Sequence, residues 1–243
     1  MTRALILAAG RGERMRPLTD TTPKPLLEVR GKPLMQWHME ALARGGCTGL
    51  VVNTAWLGAQ ITSHFGPARP FDGGRMLSIS YSDEQADFGG ALETAGGIAR
   101  ALPLLQAGGQ DVFWLVAGDV YAPDFRFDPA AVQRFAASNA LAHLWLVPNP
   151  AHNPRGDFGI SPEGLALNQA DGERYTYSTI GLYRAALFAE PFCAIPQGNP
   201  DGIKAPLAPL LRRAMDEGRV DASLYTGRWT DVGTPERLAE LNR

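Results

Sequence analysis

Through the first 150 residues, short apolar runs alternate with longer stretches in which apolar residues recur every three or four positions. The short runs Ala4–Leu7, Leu50–Asn53, Leu77–Tyr81, Val112–Ala117 and Leu141–Val147 read as buried strands. The stretches Leu34–Arg44, Leu57–Phe65, Thr94–Leu105 and Pro129–Asn139 carry a helical period. Such alternation predicts an α/β chain built on a parallel sheet. From "NPAHNPRGDFGI" to "TYSTIGLY" the pattern shifts to Asn, Gly and short polar strands, which predicts a mixed or antiparallel extension of that sheet. A helix over "APLAPLLRRAMDEG", a short strand at "RWTDVG" and a helix over "TPERLAELNR" complete the order. Nothing reads as an interdomain linker, so residues 1–243 are expected to form one domain.

The first strand runs into "AAGRGERMRPLTDTTPKP". In open α/β sheets ligands sit outside the carboxyl ends of the strands, where this loop lies. Its glycines let backbone N–H groups approach an anion closely. Gly10-Arg-Gly12-Glu-Arg-Met15 lacks the third glycine of a dinucleotide fingerprint, and Pro17, Pro23 and Pro25 forbid an immediate long helix. No Gly-Lys-Ser/Thr closes the loop as in a Walker motif. What remains is an extended loop with two cations, Arg14 and Lys24, able to reach a polyphosphate from two sides.

Composition narrows the classes. With 45% hydrophobic and 20% charged residues, the chain suits a soluble globular domain. A formal net charge of -2 and the lack of a Lys/Arg run exclude a general nucleic-acid surface. The apolar start is too short for a signal sequence or a membrane span, which makes the cytoplasm the expected address. Cys47 and Cys193 stand apart with no CxxC or His-rich context and read as small buried residues.

The stretch "GRGERMRPLTDTTPKPLLEVRGKPLM" resembles the signature of the sugar-phosphate nucleotidylyltransferases, and the likeness extends along most of the chain. Within that family "NTAWLG", "LETAGGI", "GDVY", "GDFGI", "IKAPLAPLLRRAM" and "WTDVGTPERL" are most similar to the short bacterial uridylyltransferases of N-acetylmuramate α-1-phosphate. The resemblance implies a three-layer, Rossmann-like nucleotide-diphospho-sugar transferase fold with a mixed, mostly parallel sheet. It further implies UTP and a sugar 1-phosphate as substrates, Mg²⁺ as cofactor, and a monomer or small homo-oligomer. Residues 1–150 would mainly bind nucleotide and 151–243 mainly sugar. By the same resemblance, Arg14 would sit on the leaving phosphates, Lys24 would bridge the α-phosphate and the sugar phosphate, and Asp119 and Asp231 would hold the metal. Ala9, Gly10, Arg11, Gly12, Glu13, Asn53, Glu93, Thr94 and Gly96 complete the implied nucleotide site, with Gly97 beside them. Val120, Asp157, Ser178 and Lys204 would line the sugar site, with Thr179 near them and Asn53 also turned that way. Two local features depart from the family pattern: "EQADFGGALETAGG" is long for its loop, and Ala117-Gly118-Asp119 replaces Asn-Gly-Asp.

Taken singly, each residue has a plainer explanation. Asp119 and Asp231 suit turns or helix caps, Arg14 and Lys24 suit solvated surface, and free N–H groups at Gly96–Gly97 compete with simple helix–sheet packing. His38 and His64 fall within helices and read as packing or surface groups, His143 lies in a strand, and His152 lies in a loop able to face substrate. A lactyl carboxylate on the sugar would call for a cation, and Arg155 and Lys204 are the candidates in the polar second half. Two alternatives stand beside the uridylyl reading. One is transfer with another base and acceptor: thymidylyl to glucose 1-phosphate, guanylyl to mannose 1-phosphate, or cytidylyl to phosphocholine. The other is a catalytically silent nucleotide-sugar sensor, which need not keep Arg14, Lys24, Asp119 and Asp231 together.

Overall fold

The run Arg3–Ala8 forms strand β1, with Ala4, Ile6 and Ala8 packed on one side and Leu5 and Leu7 on the other. A strand apolar on both faces must be covered twice, and the computed structural model, which describes residues 2–71, 75–169 and 172–243, has helices on each side. Chain order gives β2 Gly49–Thr54, β3 Ala68–Phe71, β4 Arg75–Asp83, β5 Val112–Ala117, β6 Ala142–Val147, β7 Thr176–Arg184 and β8 Val220–Leu224. They form one eight-stranded sheet in the order β8-β6-β7-β5-β1-β2-β4-β3. Strands β5, β1, β2 and β4 are mutually parallel, as are β6 and β8, whereas β7 runs antiparallel to both its neighbours and β3 antiparallel to β4.

Helices α1 Leu34–Arg44, α2 Gly58–Phe65, the short α3 Glu84–Phe88, α4 Glu93–Leu105, α5 Pro129–Ala137, α6 Ala208–Asp216 and α7 Pro235–Leu241 follow in sequence. Met35, Met39, Ile61, Phe65 and Phe135 of α1, α2 and α5 pack on one face of the sheet. Ala95, Ile98, Leu102, Leu207 and Leu211, from α4 and the start of α6, pack on the other. The result is the expected three-layer α/β arrangement with a mixed, mostly parallel sheet.

Two differences from expectation have physical causes. The antiparallel strand does not extend the sheet; it is inserted between β5 and β6, where hydrophobic cover exists on both faces. Both sheet edges escaped the sequence pattern. β3 is four residues long and contains Pro70, which an edge strand tolerates. β8 alternates correctly through Val220 and Ala222, but Asp221 and Ser223 disguise it. Cys47 and Cys193 are free and buried, and burial pushes the Cys47 thiol up to about 12. Among the described residues no helix is long and apolar enough to cross a membrane.

His38 is buried on α1, its Nε2 2.7 Å from the Val120 carbonyl, and burial pushes its pKa down to about 4. His143, on β6, pairs with the Ser223 hydroxyl at 3.0 Å and is likewise pushed down to about 4, chiefly by burial. A histidine held neutral contributes stability that is complete above its unfolded pKa of 6.5 and is lost as pH falls toward 4, because the unfolded chain then binds the proton first. Each group therefore works against the fold by at most about 1.4 kcal/mol per pH unit across that interval. Urea denaturation at pH 7 and pH 5 should show the wild-type chain losing more stability than His143→Gln; equal losses would contradict a depressed His143.

Candidate active site

At the carboxyl ends of β1, β2 and β5 lies a cavity of about 660 Å³. The turn after β1 lines it with Ala8, Ala9 and Gly10, and Ala117 and Asp119 enter from the end of β5. Gly118 sits between them with its N–H on the Leu7 carbonyl at 2.8 Å. A side chain there would press that carbonyl at 3.0 Å, so glycine lets β1 and the β5 turn close together. Lys24 reaches in from the loop, its Nζ 2.5 Å from Asp119 Oδ2, and its side chain is only 11% exposed.

Asp231 arrives from the far end of the chain. Thr230–Asp231 pairs antiparallel with Val120–Tyr121, opposing Asp231 to Val120, and the Val232 N–H donates to the Asp119 carbonyl at 2.9 Å. The two aspartates distant in sequence are thereby adjacent on one small ribbon. Asp231 does not line the cavity as Asp119 does. Its Oδ2 accepts from Arg237 of α7 at 2.6 Å, and the same guanidinium nitrogen bonds the Asp231 carbonyl and, at 3.3 Å, His152 Nε2. Asp231 Oδ1 is buried and lies 2.9 Å from His152 Nε2, which donates to it whenever that nitrogen carries its proton.

One wall depends on a buried chain of hydrogen bonds. The Asn53 side-chain oxygen Oδ1 accepts from the Ala8 N–H at 2.8 Å, and its Nδ2 donates to Glu84 Oε1 at 2.7 Å. Glu84 Oε2 accepts from the Leu92 N–H, also at 2.7 Å. Burial raises the Glu84 pKa above the usual carboxylate range, opposed by these two donors. The chain Ala8–Asn53–Glu84–Leu92 joins the strand before the glycine loop to the base of α4. Gly97 gives it room, since a Cβ there would lie 2.6 Å from Glu84 Oε1.

The glycines of "LETAGGI" serve packing. The N–H groups of Ala95 and Gly96 both donate to the Ala205 carbonyl, so they are not free for a ligand as the sequence suggested. A Cβ on Gly96 would meet the Ile203 carbonyl at 2.4 Å. Glu93 and Thr94 do line the cavity, and Glu93 adopts a left-handed φ of 59°. Across from them, β7 slips register between Tyr177 and Ile180. Ser178 fills this bulge, fully buried, with its hydroxyl on the Trp145 carbonyl at 2.6 Å, while Thr179 turns into the cavity at a φ of 61°. Bulges re-aim side chains in this way beside ligand sites. Asp157 faces the cavity while accepting from the Tyr177 N–H at 2.8 Å.

Other sequence-picked residues lie elsewhere. Arg11 stacks 3.6 Å over Trp56 and pairs with Asp20 at 3.1 Å. Gly12, at a φ of 69°, takes the loop through a tight turn whose carbonyl accepts from Thr19 at 2.9 Å. Glu13 and Arg14 are exposed outside the cavity lining, and Arg14 has no ion-pair partner among the described residues. Val120 is buried in the core, and exposed Arg155 and Lys204 line no part of the cavity. Glu84, Tyr177, Phe158, Arg212 and Arg237 were not picked. For Arg212 a signal existed, since Leu207, Ala208, Leu211 and Arg212 share one helical face.

The profile of the family described as nucleotidyl transferase matches residues 3–163. The chain is 48% identical over 244 residues to the N-acetylmuramate alpha-1-phosphate uridylyltransferase of Neisseria meningitidis serogroup B, covering 98% of this chain and 96% of that protein. It is 33% identical to the protein of the same name from Caulobacter vibrioides, covering 98% and 97%. A solved Bacillus anthracis structure assigned as a glucose-1-phosphate thymidylyltransferase superposes with a TM-score of 0.80 at 20% identity, covering 100% of this chain and 94% of that one, which speaks to the fold.

Replacing Glu84 by Gln keeps its volume but sets an amide donor against either Asn53 or Leu92. The variant should lose about 1–3 kcal/mol in urea unfolding, the cost of one buried unsatisfied group. An unchanged midpoint would show that the Ala8–Asn53–Glu84–Leu92 chain is not closed.

Proposed function

Because the chain belongs to the nucleotidyl transferase family it is a nucleotidyltransferase, and we propose that it transfers the uridylyl group of UTP to N-acetylmuramic acid α-1-phosphate, releasing pyrophosphate. The observation that carries the chemistry is the convergence of Lys24, Asp119 and Asp231 beside the glycine loop at the strand ends. The choice of substrates rests on the two named relatives, which match this chain over nearly its whole length.

In this reading a phosphate oxygen of the sugar 1-phosphate attacks the α-phosphorus of UTP. The new P–O bond forms as the bond to the β-phosphate oxygen breaks, and pyrophosphate leaves with the electron pair. Two anions must approach while charge builds on the leaving group, so preorganised cations lower the barrier. Lys24, held at Asp119, stands where both phosphates would meet. Arg14, exposed and without an acid partner among the described residues, is available to the leaving pyrophosphate.

A divalent cation, Mg²⁺ in our reading, suits the remaining carboxylates. Among the described residues no three His, Cys, Asp or Glu side chains form a cage. Mg²⁺ does not need one, because it commonly takes one or two carboxylates and completes its shell with water and phosphate oxygens. Asp231, whose buried Oδ1 faces His152 Nε2 at 2.9 Å, and Asp119 beside the same ribbon are the carboxylates that fit. When bound, the ion would neutralise phosphate charge at the reacting centre. Residues 1–150 supply most of the nucleotide side, and residues 151–243 add Asp157, Tyr177, Thr179 and α6 to the sugar side.

A pyrophosphate-release screen crossing nucleoside triphosphates with sugar 1-phosphates tests the assignment. UTP with N-acetylmuramic acid α-1-phosphate should give the highest kcat/KM. A clear preference for dTTP, GTP or CTP, or for another acceptor, would overturn the substrate assignment, and no turnover with any pair would favour a nucleotide-sugar sensor. Lys24→Ala should lower kcat by roughly 10²–10³ if it stabilises the transition state electrostatically.

Asp119→Asn and Asp231→Asn should each abolish most turnover, with the double variant little worse than either, as members of one unit behave. Each should also weaken Mn²⁺ binding measured by electron paramagnetic resonance, as should Arg237→Gln through a freed Asp231 side chain. Unaltered Mn²⁺ affinity in both aspartate variants would remove them from the metal site.

A further inference from the structure

We propose that Arg212 is the carboxylate-reading residue of the sugar site, selecting acceptors that carry a second acidic group beyond the phosphate. Arg212 lines the cavity from α6, on the same helical face as Leu207, Ala208 and Leu211. Two neutral partners fix its guanidinium. Nη1 donates to Asn168 Oδ1 at 2.5 Å, and the Phe158 ring lies 5.4 Å from the guanidinium carbon. Asn168 is itself oriented, since its amide nitrogen donates to Asp216 at 3.1 Å and so turns its oxygen toward Arg212.

The charge of Arg212 is uncompensated. Among the described residues no carboxylate lies within ion-pair distance of it, whereas Lys24, the other cation of the cavity wall, is already paired with Asp119. Asp216, one turn along the helix, is reached through Asn168 and not directly. A guanidinium carries five N–H donors, and Asn168 uses one. The remaining donors suit the planar, two-oxygen geometry of a carboxylate.

The surroundings sharpen the choice of ligand. Glu93 and Asp157 line the cavity with no ion-pair partner among the described residues, so a second acid on the acceptor would be repelled unless a cation met it. Pro206, Leu207, Ala208 and Leu211 make the wall next to Arg212 apolar. A short carboxylate on a carbon stem matches that pairing of cation and apolar surface. This inference rests on the functional reading above, in which the acceptor carries a 3-O-lactyl group, and it moves the expected cation from Arg155 or Lys204 to Arg212.

The test compares wild type, Arg212→Gln and Arg212→Lys with UTP and two acceptors that differ only in the lactyl group: N-acetylmuramic acid α-1-phosphate and N-acetylglucosamine α-1-phosphate. Arg212→Gln should lower kcat/KM for the lactyl-bearing acceptor by roughly 10- to 100-fold and leave the other within about twofold. Arg212→Lys should fall between, as a point charge replaces a planar fork. Calorimetric titration of each sugar phosphate into wild type and Arg212→Gln gives the same comparison without turnover. Equal losses with both acceptors, no loss, or wild-type binding that ignores the lactyl group would each overturn the proposal. A wild type that prefers the muramate acceptor while Arg212→Gln keeps that preference would defeat this inference alone. A wild type that turns over only other substrates would defeat the functional reading, and the titration would still decide on Arg212.

Discussion

The side chain of Asn53 holds the two sides of the cavity together. Its oxygen takes the Ala8 N–H, the last strand amide before the glycine loop, and its nitrogen serves a carboxylate with no solvent contact. A buried carboxylate is costly unless its oxygens are met by donors, and here Asn53 and the Leu92 N–H meet them. The loop leaving β1 and the start of α4 are thus set at a fixed spacing. Glycine at position 97 is a consequence of that arrangement, since the bridge occupies the space of a side chain.

Charge in and beside the cavity is arranged in pairs. Lys24 and Asp119 neutralise one another, and Asp231 is steadied by Arg237 on one oxygen and faces His152 with the other. Each carboxylate of the ribbon is thereby oriented by one cationic partner and retains further acceptor capacity. Preorganisation of this kind lowers the reorganisation needed when phosphates arrive.

Much of this was legible in the sequence because it lay in local patterns. Alternating apolar runs exposed the central strands and the helices over them, and the glycine loop marked the end of the sheet where the cavity lies. What was not legible depended on tertiary placement. Glu84 reads as an ordinary acidic residue after a strand, and only the approach of β2 and α4 buries it. Ser178 and Thr179 look equivalent until the register slip buries the Ser178 hydroxyl on the Trp145 carbonyl and leaves Thr179 on the cavity wall. Arg212 and Arg213 are neighbours on one helix, yet helical phase sends Arg212 to the cavity wall and Arg213 to the Pro191 carbonyl and Glu217. The glycines of α4 read as places of close approach, and what approaches is the chain itself, Ile203–Ala205 at Gly96 and Glu84 with Asn53 at Gly97.

The ribbon that joins Asp119 to Asp231 also gives the molecule a sense of time. During synthesis the β5 turn and Lys24 leave the ribosome early, and they can meet as soon as the parallel strands assemble. Asp231, Val232 and Arg237 come only with the last turns of the chain. A nascent or truncated molecule can therefore own a largely formed sheet and a glycine loop while lacking one of its two carboxylates. A chain cut before Thr230 would keep every strand of the eight-stranded sheet and lose the Asp231 carboxylate together with its Arg237 partner.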